Sequence, residues 1–291
     1  MSRKRDNITE QAAVVVEQGA PGTASAEVLR YAGVGKPKRC TDTLAREEPL
    51  EVRVRGRSIA VTMRTPGHDR ELAAGFLFTE GLIHSPDDIV EMGPCLQGEA
   101  PENTLNVFLS PAVKVDFARL TRHVFATSSC GLCGKASIEA VHQHFPPVTS
   151  NVTVSRHVLA ALPARMRAAQ RTFAQTGGLH AAAIFDAGGN LLVMREDIGR
   201  HNAVDKVLGY GLLARRLPFD AGLLLVSGRA SFEIVQKALA ARIPIVCAIS
   251  APSSLAVEFA RESGQTLVGF LRGETLNVYS CPERVQEQKN E

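Results

Sequence analysis

Apolar and charged residues alternate along Leu50, Glu51, Val52, Arg53, Val54 and Arg55, and again along Ile59, Ala60, Val61, Thr62, Met63 and Arg64. With Gly56 in the short link, this period of two predicts a β-hairpin with one buried face. Leu72, Ala73, Phe76 and Leu77 then recur at helical spacing, and Gly81 is placed to end that helix. Ser85 followed by Pro86 reads as another helix start, and residues 104–109 as a strand. From Ala136 a short helix runs to Phe145, where Pro146 and Pro147 stop it. Ser155 caps a longer helix to about Thr176, kinked or divided at Pro163 and ended by Gly177 and Gly178.

From His180 the pattern changes. Residues 181–185 and 191–194 are short apolar strands around a turn at Gly188 and Gly189, and residues 198–216 are mostly helical through Val204, Val207, Leu208 and Leu212. Residues 222–226 and 244–249 are continuous apolar runs, the mark of strands buried on both faces. Helices at 231–241 and 254–263 separate them from each other and from strands at 266–271 and 276–279, with Gly273 in the last turn. This alternation predicts a three-layer α/β domain with a mainly parallel sheet. The expected organisation is a flexible tail at 1–39 and a smaller N-terminal α+β domain at 40–127. A Cys-containing loop and connecting helix follow at 128–150, then a C-terminal α/β cofactor-binding domain at 151–281 and a tail at 282–291.

Composition narrows the function classes. At 291 residues and 45% hydrophobic content the chain can bury a real core, roughly two domains of ~150 residues each. The formal charge of +3 is spread out, without the basic stripe of a nucleic-acid binder. No run approaches the ~20 apolar residues that span a bilayer. Arg3, Lys4 and Arg5 lead into polar residues rather than a secretory core segment. The six cysteines are not spaced as a secreted disulfide framework, so a reducing cytoplasm is expected, where a CxxC is reactive or metal-bound more often than structural.

That CxxC is Ser128-Ser129-Cys130-Gly131-Leu132-Cys133-Gly134, a glycine-rich loop open to metal binding, disulfide cycling or sulfur carriage. Structural zinc wants four ligands, and His142 and His144 are too close together to complete the set well. Zinc-deaminase chemistry needs H-x-E, which His180-Ala181-Ala182 lacks. A thioredoxin-type motif would follow a strand in a βαβ unit, which is missing here. Sulfur carriage fits best, with zinc and redox roles left open.

Elsewhere, loops at Ser227-Gly228-Arg229-Ala230-Ser231 and Ser250-Ala251-Pro252-Ser253-Ser254 lead from strands into helices, where backbone N–H groups suit a phosphate or diphosphate. The plain alternative makes each serine a cap and each glycine a turn. A third approach packs Arg195, Glu196, Asp197, Arg200, His201, Asn202, Asp205 and Lys206 into twelve residues. There Asp197 would accept from a base's ring N–H and amino group, and His201 would assist proton transfer. His68 and His84 read as surface or capping residues.

The CxxC loop, the run Glu196-Asp197-Ile198-Gly199-Arg200-His201-Asn202-Ala203-Val204-Asp205-Lys206, and the two serine-bearing loops together resemble the FdhD/NarQ family across roughly residues 40–279. The resemblance implies a cytoplasmic sulfurtransferase with a cytidine-deaminase-like second domain and no metal site. It implies that Cys130 accepts sulfur as a persulfide from a cysteine desulfurase. The sulfur then passes to the molybdenum bis-guanine-dinucleotide pterin cofactor destined for formate dehydrogenase. Phe270, Leu271, Arg272, Gly273, Glu274 and Thr275 match the family's cofactor-binding turn, with Asp197, Arg200 and His201 as further candidates. Cys133 is a candidate resolving thiol, and a homodimer is implied; nucleic acid and membrane are not. The alternative is a non-catalytic cofactor chaperone or guanine-nucleotide-binding protein whose CxxC holds zinc.

Overall fold

A computed structural model describes residues 17–18, 22–95, 101–117 and 145–287. The loop with Cys130 and Cys133, and the helix expected from Ala136, lie outside the described residues.

The chain is ordered earlier than its composition suggests. Strands β1 (Glu17–Gln18), β2 (Thr23–Arg30) and β3 (Lys38–Ala45) form an antiparallel sheet, registered from Thr23 opposite Ala45 to Arg30 opposite Lys38. The expected tail at 1–39 is corrected for residues 22–39, while residues 1–16 and 19–21 lie outside the described residues. Backbone pairing orders this hairpin, while only its base, at Thr23 and Ala26, is buried, so little apolar pattern marks it in the sequence.

Next come β4 (Glu48–Val54) and β5 (Arg57–Arg64), the anticipated hairpin, with Leu50, Val52 and Val54 turned inward. Arg55 and Gly56 both take positive φ, as a two-residue hairpin turn requires. Helix α1 (Asp69–Thr79) follows and Gly81 turns the chain at φ 72°. Ser85 caps only a 3-10 turn at Pro86–Asp88, whose capping box leads directly into β6 (Ile89–Pro94). With β7 (Thr104–Leu109) these strands make a sheet in the order β5-β4-β7-β6.

The second lobe begins with β8 (Val154–Ser155), α2 (Arg156–Ala169) and α3 (Arg171–Thr176). Pro163 lies inside α2, whose buried stripe of Leu159, Leu162 and Met166 runs past it; the division comes at Gln170 instead. Then follow β9 (His180–Phe185), β10 (Leu191–Asp197), α4 (Arg200–Leu213), β11 (Leu223–Val226), α5 (Phe232–Ala240), β12 (Ile245–Ala248), α6 (Ser254–Glu262), β13 (Thr266–Arg272) and β14 (Thr275–Ser280). The six strands are ordered β10-β9-β11-β12-β13-β14. Only β11–β12 and β12–β13 are parallel, so the sheet is mixed rather than mainly parallel. The reason is connection length: the β9–β10 and β13–β14 turns are too short for a crossover, and tight turns join antiparallel strands. The expected C-terminal tail is ordered through β15 (Val285–Gln286), which pairs with β8. Arg284 is buried there, donating to Ser150 O, Gly264 O and Thr266 Oγ1.

One face of the six-stranded sheet, including Ala182, Ile184, Leu224, Val226 and Val246, packs under α4, α5 and α6. The other, including Ala183, Phe185, Leu223, Leu225 and Cys247, packs on α2. The first of these cores runs on into the four-stranded sheet through α1. Where α1 crosses α4 the backbones touch. A Cβ on Gly75 would come 1.9 Å from Asp205 O, and one on Gly209 would come 1.8 Å from Glu71 O. Only glycine permits that approach, and it brings the end of β5 against the start of α4.

Candidate functional site

The dense segment between Arg195 and Lys206 sorts itself by where each side chain goes. Arg195 leaves the sheet for α1, pairing with Glu71 through Nε to Oε2 at 2.6 Å and Nη2 to Oε1 at 2.8 Å. Burial alone would raise the Glu71 carboxyl, but the hydrogen bonds from Arg195 and His68 lower it to about 2. Glu196 caps α3, accepting from the backbone N–H groups of Thr172 at 3.0 Å and Phe173 at 2.7 Å.

Asp197 is fully buried. Its Oδ1 accepts from Gly199 N (2.8 Å) and Asn202 Nδ2 (3.0 Å), and its Oδ2 from Thr65 N (3.2 Å) and Lys206 Nζ (2.7 Å). Lys206, equally buried, also donates to Thr65 O at 2.8 Å. Asn202 donates to Met63 O and accepts from Thr62 Oγ1, and Thr65 Oγ1 accepts from Ile198 N. The expectation that Asp197 reads a ligand's base is therefore corrected. Both oxygens are engaged inside the protein, and the carboxylate locks the end of β5 to the start of α4. One turn further on, Asp205 takes both contacts from Lys237 Nζ on α5, at 2.9 and 3.0 Å, and a third from Thr79 Oγ1 on α1. Each buried pair is tied to the first lobe in turn, the one through Thr65 and the other through Thr79.

Arg200 and His201 remain. They open α4 at the sheet edge where β10 and β11 end and β9 begins, and there they meet His180, Ser227 and Gly228. His180 Nδ1 is 3.4 Å from Ser227 Oγ, which also accepts from Ala181 N at 2.9 Å. Gly228 is buried, and a Cβ there would lie 3.4 Å from His180 Nδ1 and 3.5 Å from Arg200 Cδ. Arg200 Nε is buried without a hydrogen-bond partner among the described residues. On the far side His201 Nε2 is 3.3 Å from Ser231 Oγ and 3.9 Å from Glu233. Burial, then the charge of Arg200, lowers His180 below its ordinary range; burial, then Arg200 and Lys237, lowers His201 to about 4. Both imidazoles are thus neutral at physiological pH.

The other predicted loops lie along the same edge. Ser253 is a cap, accepting from Ala256 N at 3.2 Å, whereas Ser231 makes no cap and turns to His201. The two loops pair through Ala230 and Pro252. Phe270 donates its N–H to Ser250 O and takes φ 51°, a left-handed conformation that is rare for an aromatic residue. Its side chain is 37% exposed. Arg272, Gly273, Glu274 and Thr275 are exposed beside it, and Arg272 Nε reaches Ile249 O at 3.3 Å. Leu271 is buried in the core, so that only its backbone faces this turn. Cys130 and Cys133 lie outside the described residues. Burial pushes the Cys247 thiol up to about 12, which leaves it inert as a nucleophile.

Residues 45–286, covering both lobes and this edge, match the model of the FdhD/NarQ family. The chain belongs to the FdhD/NarQ family. It is 52% identical over 253 residues to the sulfur carrier protein FdhD of Mycobacterium tuberculosis strain H37Rv, covering 84% of this chain and 92% of that one. It is 52% identical over 270 residues to that of Nocardia farcinica, covering 91% and 95%, and 45% identical over 244 residues to that of Sulfolobus acidocaldarius, covering 84% and 91%. A crystal structure assigned to a formate dehydrogenase accessory protein from Desulfotalea psychrophila superposes with a TM-score of 0.73 at 27% identity, over 91% of this chain and all of the other.

Within this FdhD/NarQ chain, sequence reasoning passed over Thr62, Thr65, Glu71 and Lys237. Each of them acts on a partner 32 to 141 residues away, so no local spacing could flag it. His180 was legible as a histidine opening a buried strand but was weighed only as a zinc ligand.

Proposed function

We propose that this protein is a sulfur carrier that delivers sulfur to the molybdenum bis-guanine-dinucleotide pterin cofactor, its cargo, for formate dehydrogenase in the cytoplasm. Membership of the FdhD/NarQ family, whose relatives named above are sulfur carriers, supports the role. The observation that carries the acceptor side is the exposed turn at the end of β13. There Phe270, held at positive φ, offers a ring face to a purine, while Arg272 beside it offers a guanidinium to a diphosphate.

In this reading the Cys130 thiolate attacks the terminal sulfur of a cysteine desulfurase's persulfide. The desulfurase S–S bond breaks, its thiolate leaves, and Cys130 carries the persulfide. Cys133 thiolate then attacks Cys130 Sγ, the sulfane sulfur leaves as hydrosulfide at the acceptor, and a Cys130–Cys133 disulfide remains for an external dithiol to reduce.

Mass spectrometry after incubation with a cysteine desulfurase and cysteine tests the donor side. A gain of one sulfur, about 32 Da, that is absent in Cys130→Ala is expected. A gain that persists in Cys130→Ala, or stoichiometric zinc on the purified chain with no gain at all, overturns the reading.

A further inference from the structure

Two groups of candidate residues lie on the edge of the six-stranded sheet, and they are not adjacent. The turn at 270–275 ends β13, whereas the corner of His180, Arg200, His201, Ser227 and Gly228 lies at β9 and β11. From β13 across β12 and β11 to β9 is three strand spacings, about 14 Å at ~4.8 Å each. The chemistry of the two places also differs. The turn presents an aromatic face and an exposed cation. The corner presents one partly sunken guanidinium and two neutral imidazoles around a glycine.

We propose that the corner binds the anionic oxo or sulfido end of the ligand whose nucleotide end rests on the 270–275 turn. This rests on the reading given above and adds the place where the reactive end is held. Four observations support it. Arg200 Nε is buried with no partner among the described residues, and a buried donor of this kind is costly unless something accepts from it. Gly228 brings bare backbone beside His180 Nδ1 and Arg200 Cδ, and a Cβ there would lie 3.4 and 3.5 Å from them. His180 and His201, neutral in the folded protein, can donate N–H bonds to an anion without adding charge, so that Arg200 supplies a compensating cation. Glu233 reaches His201 and Ser231, and the carboxylate that acts on His180, Asp197, already has both oxygens engaged inside the protein.

The test uses the full chain and two probes. Molybdate, a small tetrahedral oxyanion, is titrated at constant ionic strength while the imidazole signals of His180 and His201 are followed by NMR. GDP binding is measured in parallel by calorimetry. Both imidazole signals should shift saturably with molybdate. Arg200→Gln should weaken molybdate roughly tenfold or more, the loss of one charge-assisted hydrogen bond. Gly228→Ala, whose added Cβ meets its neighbours at ordinary contact distance, folds normally and should weaken molybdate as well. GDP affinity should stay within about twofold in both variants. Arg272→Glu should do the reverse, losing GDP and keeping molybdate.

Unmoved imidazole signals, or molybdate affinity unchanged in Arg200→Gln and Gly228→Ala, overturns the corner. Loss of both probes together in Arg200→Gln shows a single nucleotide site and overturns it equally. Sulfur loading at Cys130 is read separately by mass, so failure of the carrier reading leaves a different trace from failure of the corner.

Discussion

Residues 195–206 supply two regions of opposite character. Asp197, Asn202, Asp205 and Lys206 point inward, where every charge meets a counter-charge or a hydrogen bond and nothing is left for a ligand. Arg200 and His201 sit in the same first turns of α4 but face the sheet edge, with a guanidinium nitrogen unpartnered among the described residues and imidazoles held neutral. A functional-looking cluster in sequence is therefore a saturated foundation and an unsaturated mouth, separated by the helical period. The foundation belongs to the joint between lobes, and the mouth is where the anion is proposed to bind.

The foundation should break hardest. Lys206→Met leaves the Asp197 carboxylate buried without its ammonium and should cost about 3–5 kcal/mol in unfolding free energy, read from the denaturant midpoint. Pairing it with Asp197→Asn should restore much of that, because no uncompensated charge remains. If Lys206→Met unfolds at the parent midpoint, the pair is not the joint.

Glu71 sharpens the contrast from the rim of the same joint. Its folded pKa of about 2 lies below the ordinary 4.5, so its contribution is present above about pH 4.5 and is lost as pH falls toward 2. Discounted for solvent screening at this half-buried carboxyl, the shift corresponds to something on the order of 1–2 kcal/mol. Glu71→Gln should flatten the stability profile across that window, and an unchanged slope would remove the Arg195 pair from the account.

How much of this could be read in the chain follows the same division. The strands and helices after His180 were legible because each buries one or both faces, and burial writes its period into the residues. The hairpin of β2 and β3 was not, since backbone pairing rather than apolar side chains holds it, and neither was the strand direction at β9 and β13. For the candidate site, the FdhD/NarQ motifs marked Arg200, His201 and the 270–275 turn, which the fold sets along one edge of the six-stranded sheet. Asp197 looked identical in kind to Arg200, and only its partner at Thr65, 132 residues earlier, turns it from ligand-reading to structural. Gly75 and Gly209 passed as ordinary helix residues because the contact that requires them is between helices.

The smallest effect comes from the mouth. His201 has a folded pKa of about 4 against an ordinary 6.5, and His180 is lowered as well. The unfolded chain takes up these protons first as the pH falls, so stability is full above about pH 6.5 and declines through the window down to about 4. The imidazoles are partly open to solvent, so the decline should be shallow beside the Glu71 loss that follows below pH 4.5. His201→Gln should remove part of the slope between pH 6.5 and 4, and His180→Gln with it should remove more, while the midpoint at pH 7 moves little. A slope that survives in the double variant would place the acid sensitivity in the foundation instead, and the division between the two regions would have to be redrawn.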